Sequence, residues 1–174
     1  DHRDLHYPLR RQRQMCIRDS FNLFAASIIS KDSSNFSQTI IISTDKKDAI
    51  NKGAVVIVPA GCVGRVTDIS FGVATVTLIT DPNSRISAIG SRSRQEGMLY
   101  GISNGLCQMK FLPLNADIEI GDEIITSGLS SIFPKGLRLG EVIKIEKDNR
   151  GLSLSAIVKP AFDIRRLEEV LCIY

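Results

Sequence analysis

From Ser20 onwards the chain is cut into short apolar or alternating runs by glycine, proline, asparagine and aspartate turn signals, spaced at roughly 8–14 residues. Such spacing favours a β-sandwich or barrel over βαβ units. Twelve candidate strands result: 24–30, 37–43, 54–58, 62–69, 73–80, 85–91, 96–103, 106–112, 122–126, 139–147, 152–159 and 168–173. Asp81–Ser84 places Pro82 where its fixed φ suits a turn, and Ser103–Gly105 suits a turn with positive φ. Helix is reduced to single turns near Lys46–Ile50 and Asp163–Leu167, the second with Asp163 as N-cap.

The glycines also reveal an internal repeat. Ile50 to Thr80 and Ile118 to Val158 each read as Ile-x-x-Gly, an apolar strand, a glycine-containing turn and then Gly-x-Val. The Gly-x-Val elements are Gly64-Arg65-Val66 and Gly140-Glu141-Val142. The expected fold is therefore mainly β: two small six-stranded antiparallel β-barrel domains with little helix. Closing each sheet removes exposed strand edges. The expected layout is nested. Residues 21–61 with 113–174 form the first barrel, and residues 62–112 form the second as an insertion; a tandem split near 106–112 is the alternative. The first strands are expected to pair with the C-terminal segment.

Residues 1–20 differ from the rest. They are arginine-rich, poor in β-branched residues and contain both histidines, His2 and His6; they read as a disordered or foreign tail. They also hold much of the net charge of +3, leaving the body near neutral. A nucleic-acid partner is not expected, because no basic face is concentrated. The one compact basic cluster, Ser91 to Arg94, reads as a solvated loop. No apolar run approaches the ~18–20 residues needed to cross a bilayer, the longest being Ala54 to Ala60.

Residues 21–174 contain no histidine, which removes Ser-His-Asp and Cys-His catalysis from the folded part and most zinc and iron chemistry with it. A chymotrypsin-like hydrolase on six-stranded barrels is disfavoured for the same reason. Cys16, Cys62, Cys107 and Cys172 have no metal-ligand spacing, and Cys62 and Cys107 read as small hydrophobes. No phosphate-cradling glycine loop is present, so no cofactor and no small-molecule substrate are expected. The carboxylates Asp117, Glu119, Asp122 and Glu123 read as solvated turn charges, and no motif supports a Ser-Lys pair using Lys135 or Lys159. The expectation is a non-enzyme.

Gly121 to Val142 is the most distinctive stretch. Its Gly121-Asp122, Thr126-Ser127-Gly128, Phe133-Pro134-Lys135-Gly136 and Gly140-Glu141-Val142 series resembles that of the MreC family of rod shape-determining proteins. Ser34 to Ile42, Gly61-Cys62-Val63-Gly64-Arg65-Val66, Leu78 to Ala88 with Asp81 and Pro82, and Arg165 to Ile173 resemble the family as well. The resemblance covers about residues 21–174 and makes these glycines, prolines and turn residues structural. It implies a membrane-anchored, extracytoplasmic (periplasmic) protein, of which this chain lacks the transmembrane helix and coiled coil. It implies a non-catalytic scaffold of the cell-elongation machinery that controls rod shape by positioning peptidoglycan synthases. The implied partners are membrane proteins and a class B penicillin-binding transpeptidase, with homo-oligomers at full length. A periplasmic adaptor of an efflux or secretion system is the alternative. Phe133, apolar within a turn, is expected either to plug a barrel end or to contact a partner. Tyr174 and Leu171 are further contact candidates.

Overall fold

The computed structural model describes residues 22–173; the tail read over residues 1–20 and Tyr174 lie outside the described residues. All twelve expected strands form: β1 (Leu23–Ser33), β2 (Gln38–Ser43), β3 (Val55–Val58), β4 (Gly61–Ser70), β5 (Val73–Leu78), β6 (Arg85–Gly90), β7 (Glu96–Ile102), β8 (Leu106–Leu112), β9 (Glu123–Thr126), β10 (Arg138–Lys147), β11 (Leu154–Pro160) and β12 (Glu169–Ile173). Single 3-10 turns occupy Lys47–Ala49, Ser103–Gly105 and Ile164–Arg166. Asp163 caps the last by accepting from the Arg165 amide at 3.0 Å.

The strands close into two antiparallel barrels. The terminal barrel runs β12-β3-β4-β5-β2-β1 and the inserted barrel runs β6-β9-β10-β11-β8-β7. In the terminal barrel Phe24 stands opposite Cys172 and Ala26 opposite Val170, so β1 pairs with β12 across nearly the whole sequence. The barrel boundaries differ from the expected ones. β4 and β5 belong to the terminal barrel, and β9, β10 and β11 to the inserted one. The reason is local register. Val56 pairs with Gly64 and Val66 with Val76, so β3, β4 and β5 form a continuous meander that a boundary at residue 62 would cut.

The sequence repeat has a structural counterpart. In β4 and β5, Gly64 faces Leu78 and Val66 faces Val76, a bulge follows, and Asp68 then faces Thr75. In β10 and β11, Gly140 faces Pro160 and Val142 faces Val158, a bulge follows, and Lys144 faces Ile157. A Cβ on Gly64 would lie 2.1 Å from the Thr77 carbonyl oxygen, and one on Gly140 would lie 2.1 Å from that of Lys159. Both positions exclude any side chain by the same steric contact. The bulges sharpen strand curvature, which a six-stranded closure needs.

Period-two alternation fills both interiors. β5 alternates half-buried and buried, sending Ala74, Val76 and Leu78 inward. Ile40, Ile42, Val56, Val66 and Cys172 join them, while Ile86, Leu99, Met109, Ile124, Leu139, Val142 and Val158 fill the other barrel. These residues form one hydrophobic cluster, because β4 lies against β10 and joins the two barrels.

Candidate functional site

Glycine lets the two barrels approach at backbone distance. A Cβ on Gly61 would lie 2.5 Å from the Arg138 carbonyl oxygen, and one on Gly101 would lie 2.1 Å from that of Asp81 and 2.2 Å from that of Thr80. The segment from Ile79 to Ser84 therefore crosses directly over β7. Asp81 fixes this crossing. Its carboxylate is 4% exposed and accepts from the Gln38 amide at 2.7 Å and the Asn83 amide at 2.8 Å. The Ser84 amide donates to the Asp81 carbonyl at 2.9 Å, closing the turn that Pro82 occupies. The Thr80 hydroxyl donates to the Gln38 side-chain oxygen, and the Cys107 thiol to the Ile79 carbonyl at 3.5 Å. Asp81 and the Pro82 turn thus clamp the crossing to β2 of the terminal barrel, and the Cys107 thiol of β8 ties it to the inserted one.

The Gly121 to Val142 stretch is a second clamp, within the inserted barrel. Thr126, fully buried, donates its hydroxyl to the Pro134 carbonyl and accepts from the Leu137 amide at 2.9 Å. Its backbone pairs with Leu137 and Gly136, so the two halves of the motif bind each other. Ser127 bonds Ser87 twice, amide to carbonyl at 3.0 Å and hydroxyl to hydroxyl at 2.7 Å, tying the loop to β6. Gly128, at φ +75°, faces Lys135, whose Cβ would be 2.6 Å from an added Cβ. Phe133 is 6% exposed and sits in the core cluster. Of its two expected roles, a barrel plug calls for a buried ring and a partner contact for an exposed one; the ring is buried. Leu171 is half-buried beside that core.

One reading of charge is corrected, that of Asp122. Ser91 to Arg94 is an exposed turn, as the sequence suggests, and its Arg92 forks between two carboxylates. Its Nε and Nη2 donate to Asp122 at 2.9 Å each, and its Nη1 and Nη2 to Asp117 at 3.0 and 2.9 Å. Asp122 is 8% exposed, also accepts from the Glu119 amide at 2.9 Å, and is held below the usual carboxylate range chiefly by the Arg92 hydrogen bond. It is a structural ion-pair member, with Gly121 at φ +95° turning the chain before it.

Cys62, Cys107 and Cys172 are buried thiols, each pushed up to about 12 by desolvation. A thiol so raised is not a nucleophile at neutral pH.

The family described as "Rod shape-determining protein MreC, barrel core" matches residues 28–174. The chain belongs to the MreC family. The Cell shape-determining protein MreC of Listeria monocytogenes is 33% identical over 162 residues, covering 88% of this chain and 54% of that protein. The chain spans about half the length of the curated MreC relatives it matches. The crystal structure of MreC from Pseudomonas aeruginosa superposes with a TM-score of 0.82 at 25% identity, covering 88% of this chain and 99% of that one. MreC in a complex with a penicillin-binding protein from Helicobacter pylori shares the fold, with a TM-score of 0.68 at 20% identity, covering 88% and 98%. The adaptor alternative gives way to this family match.

Sequence reasoning found the clamp residues of the MreC motifs, because glycine, proline and hydroxyl residues signal turns. It missed Arg92, whose partner Asp122 stands 30 residues away and leaves no local signature.

Proposed function

We propose that this chain is the extracytoplasmic β-region of a cell-shape scaffold that binds and positions peptidoglycan-synthesising enzymes without catalysing a reaction itself. The family match over residues 28–174 carries this reading. Two further observations support it. The distinctive residues of the chain brace backbone, as the Asp81 and Thr126 hydrogen bonds illustrate. Two closed barrels joined through one hydrophobic cluster suit a protein that holds others at fixed spacing. A class B penicillin-binding transpeptidase is the partner proposed, by extension from the Helicobacter pylori complex. At full length the protein is anchored in the cell membrane and self-associates.

The test is capture of penicillin-labelled protein. Immobilised chain is exposed to detergent-solubilised rod-shaped bacterial membranes pretreated with a fluorescent penicillin. Retention of a labelled band supports the reading; its absence, with a folded bait, overturns it. Release of soluble fragments from purified peptidoglycan by the chain alone would overturn the non-catalytic part.

A further inference from the structure

We infer that the outer face of β6, β7 and β8 is a docking surface for an acidic peptide segment of a partner protein. The face is built around Tyr100. Arg85 lies opposite Tyr100 in register, and the Arg85 guanidinium stands 5.9 Å from its ring centroid. The Lys110 ammonium stands 5.1 Å from the same centroid, and Met98 lies opposite Lys110. Among the described residues neither cation has a carboxylate partner. Glu96, at the start of β7, lies opposite Ile89 and pairs with neither. Two cations thus converge on one aromatic ring with their charge uncompensated.

Phe111 supplies the second, independent observation. Three residues of β8, from Met109 to Leu112, advance against two of β11, from Ala156 to Leu154, so β8 carries a bulge there. The bulge holds Phe111 at φ +65°, a left-handed conformation that a bulky L-residue enters at a cost of about 1 kcal/mol. Its ring is 69% exposed and meets Tyr100 edge-on at 6.2 Å. Folding gains little from this aromatic, which sits where glycine or asparagine would be unstrained. An exposed, strained aromatic beside two unpaired cations is complementary to a segment carrying carboxylates around an apolar side chain. The geometry favours a peptide over a saccharide. Sugars stack on an open aromatic face, and the Tyr100 face is already occupied by cations.

The experiment uses the isotope-labelled full chain, followed by amide NMR, titrated with acetyl-Glu-Phe-Glu-Leu-Glu-amide. The same peptide with glutamine for glutamate and an oligogalacturonate serve as comparison arms. Amide shifts centred on Met98, Tyr100, Lys110 and Phe111 are expected with the glutamate peptide. The double variant Arg85→Gln with Lys110→Gln should weaken binding about tenfold, and salt should weaken it further. Phe111→Gly should weaken binding by about fivefold while leaving Tm unchanged or raised. Equal binding of the glutamine peptide, shifts centred elsewhere, or tighter binding of oligogalacturonate on this face would each overturn the inference. So would a lowered Tm for Phe111→Gly, which would make the ring structural. No membrane or penicillin-binding protein is involved, so failure here leaves the scaffold reading standing.

Discussion

The two barrels are built on one plan and closed from opposite ends of it. Advancing each of β1 to β5 by six positions turns the order of the terminal barrel into that of the inserted one, with β12 and β6 in equivalent places. Each half of the chain therefore contributes its sixth strand to the barrel of the other half. This exchange makes two chain crossings between barrels, Ile79 to Ser84 and Ala161 to Glu168, and explains why the Asp81 clamp is needed where the first crossing passes over β7.

The barrels differ in how they are fastened. Apart from the clamp and the Thr44 hydroxyl bonded to the Ala25 carbonyl, the interior of the terminal barrel is apolar and closes through β1 and β12, a pairing of very large sequence separation. The inserted barrel closes through β6 and β9 over a much shorter separation, and carries polar staples at Thr126, Ser127 and Asp122. Long-range closure costs loop entropy, which apolar burial must offset. The inserted barrel, with a long loop between β9 and β10, instead uses directional hydrogen bonds to hold that loop.

The largest effect should come from the matched glycines. Gly64→Ala and Gly140→Ala each place a Cβ 2.1 Å from a backbone oxygen that cannot rotate away. Both should lose about 4 kcal/mol or more in urea unfolding, or fail to fold. A tolerated substitution at one alone would break the equivalence of the barrels.

Phe133→Ala should cost about 3 kcal/mol by the same measurement, since a buried aromatic leaves a cavity. A cost near zero would mean that the ring does not plug the inserted barrel.

Asp122→Asn should cost about 2 kcal/mol through the weakened Arg92 and Glu119 bonds. The pH dependence has a definite sign. The folded carboxyl of Asp122 is depressed, so its contribution is complete above the ordinary aspartate pKa of about 4 and is lost as pH falls through the depressed value. Hydrogen exchange at decreasing pH should therefore show added opening in the inserted barrel, and Asp122→Asn should remove that acid step.

The smallest effect is stabilising. Phe71, fully exposed at φ +50°, and Gly72, at φ +79°, form the two-residue turn between β4 and β5. Such a turn favours Asn-Gly, so Phe71→Asn should gain about 0.5–1 kcal/mol, read as a higher Tm. Unlike Phe111, Phe71 has no cation or aromatic ring placed against it among the described residues.

Strand positions were legible in the sequence because alternation and turn chemistry act over neighbouring residues. β8 falls where its pattern predicts, and Asp163 caps the turn expected of it. The repeat was legible for the same reason, since Gly64 and Gly140 answer to a steric demand from the adjacent strand. Barrel membership was decided only in three dimensions. Which sheet β4 joins depends on pairing with β3 and β5, and which strand closes each barrel depends on partners far along the chain. The same holds for the surface. That the loops place Arg92 between Asp117 and Asp122, while Arg85 and Lys110 meet around Tyr100 without a carboxylate among the described residues, is set by the closed sheets that carry them. Alternation assigns a side chain to a face; only closure decides which other side chains share that face with it.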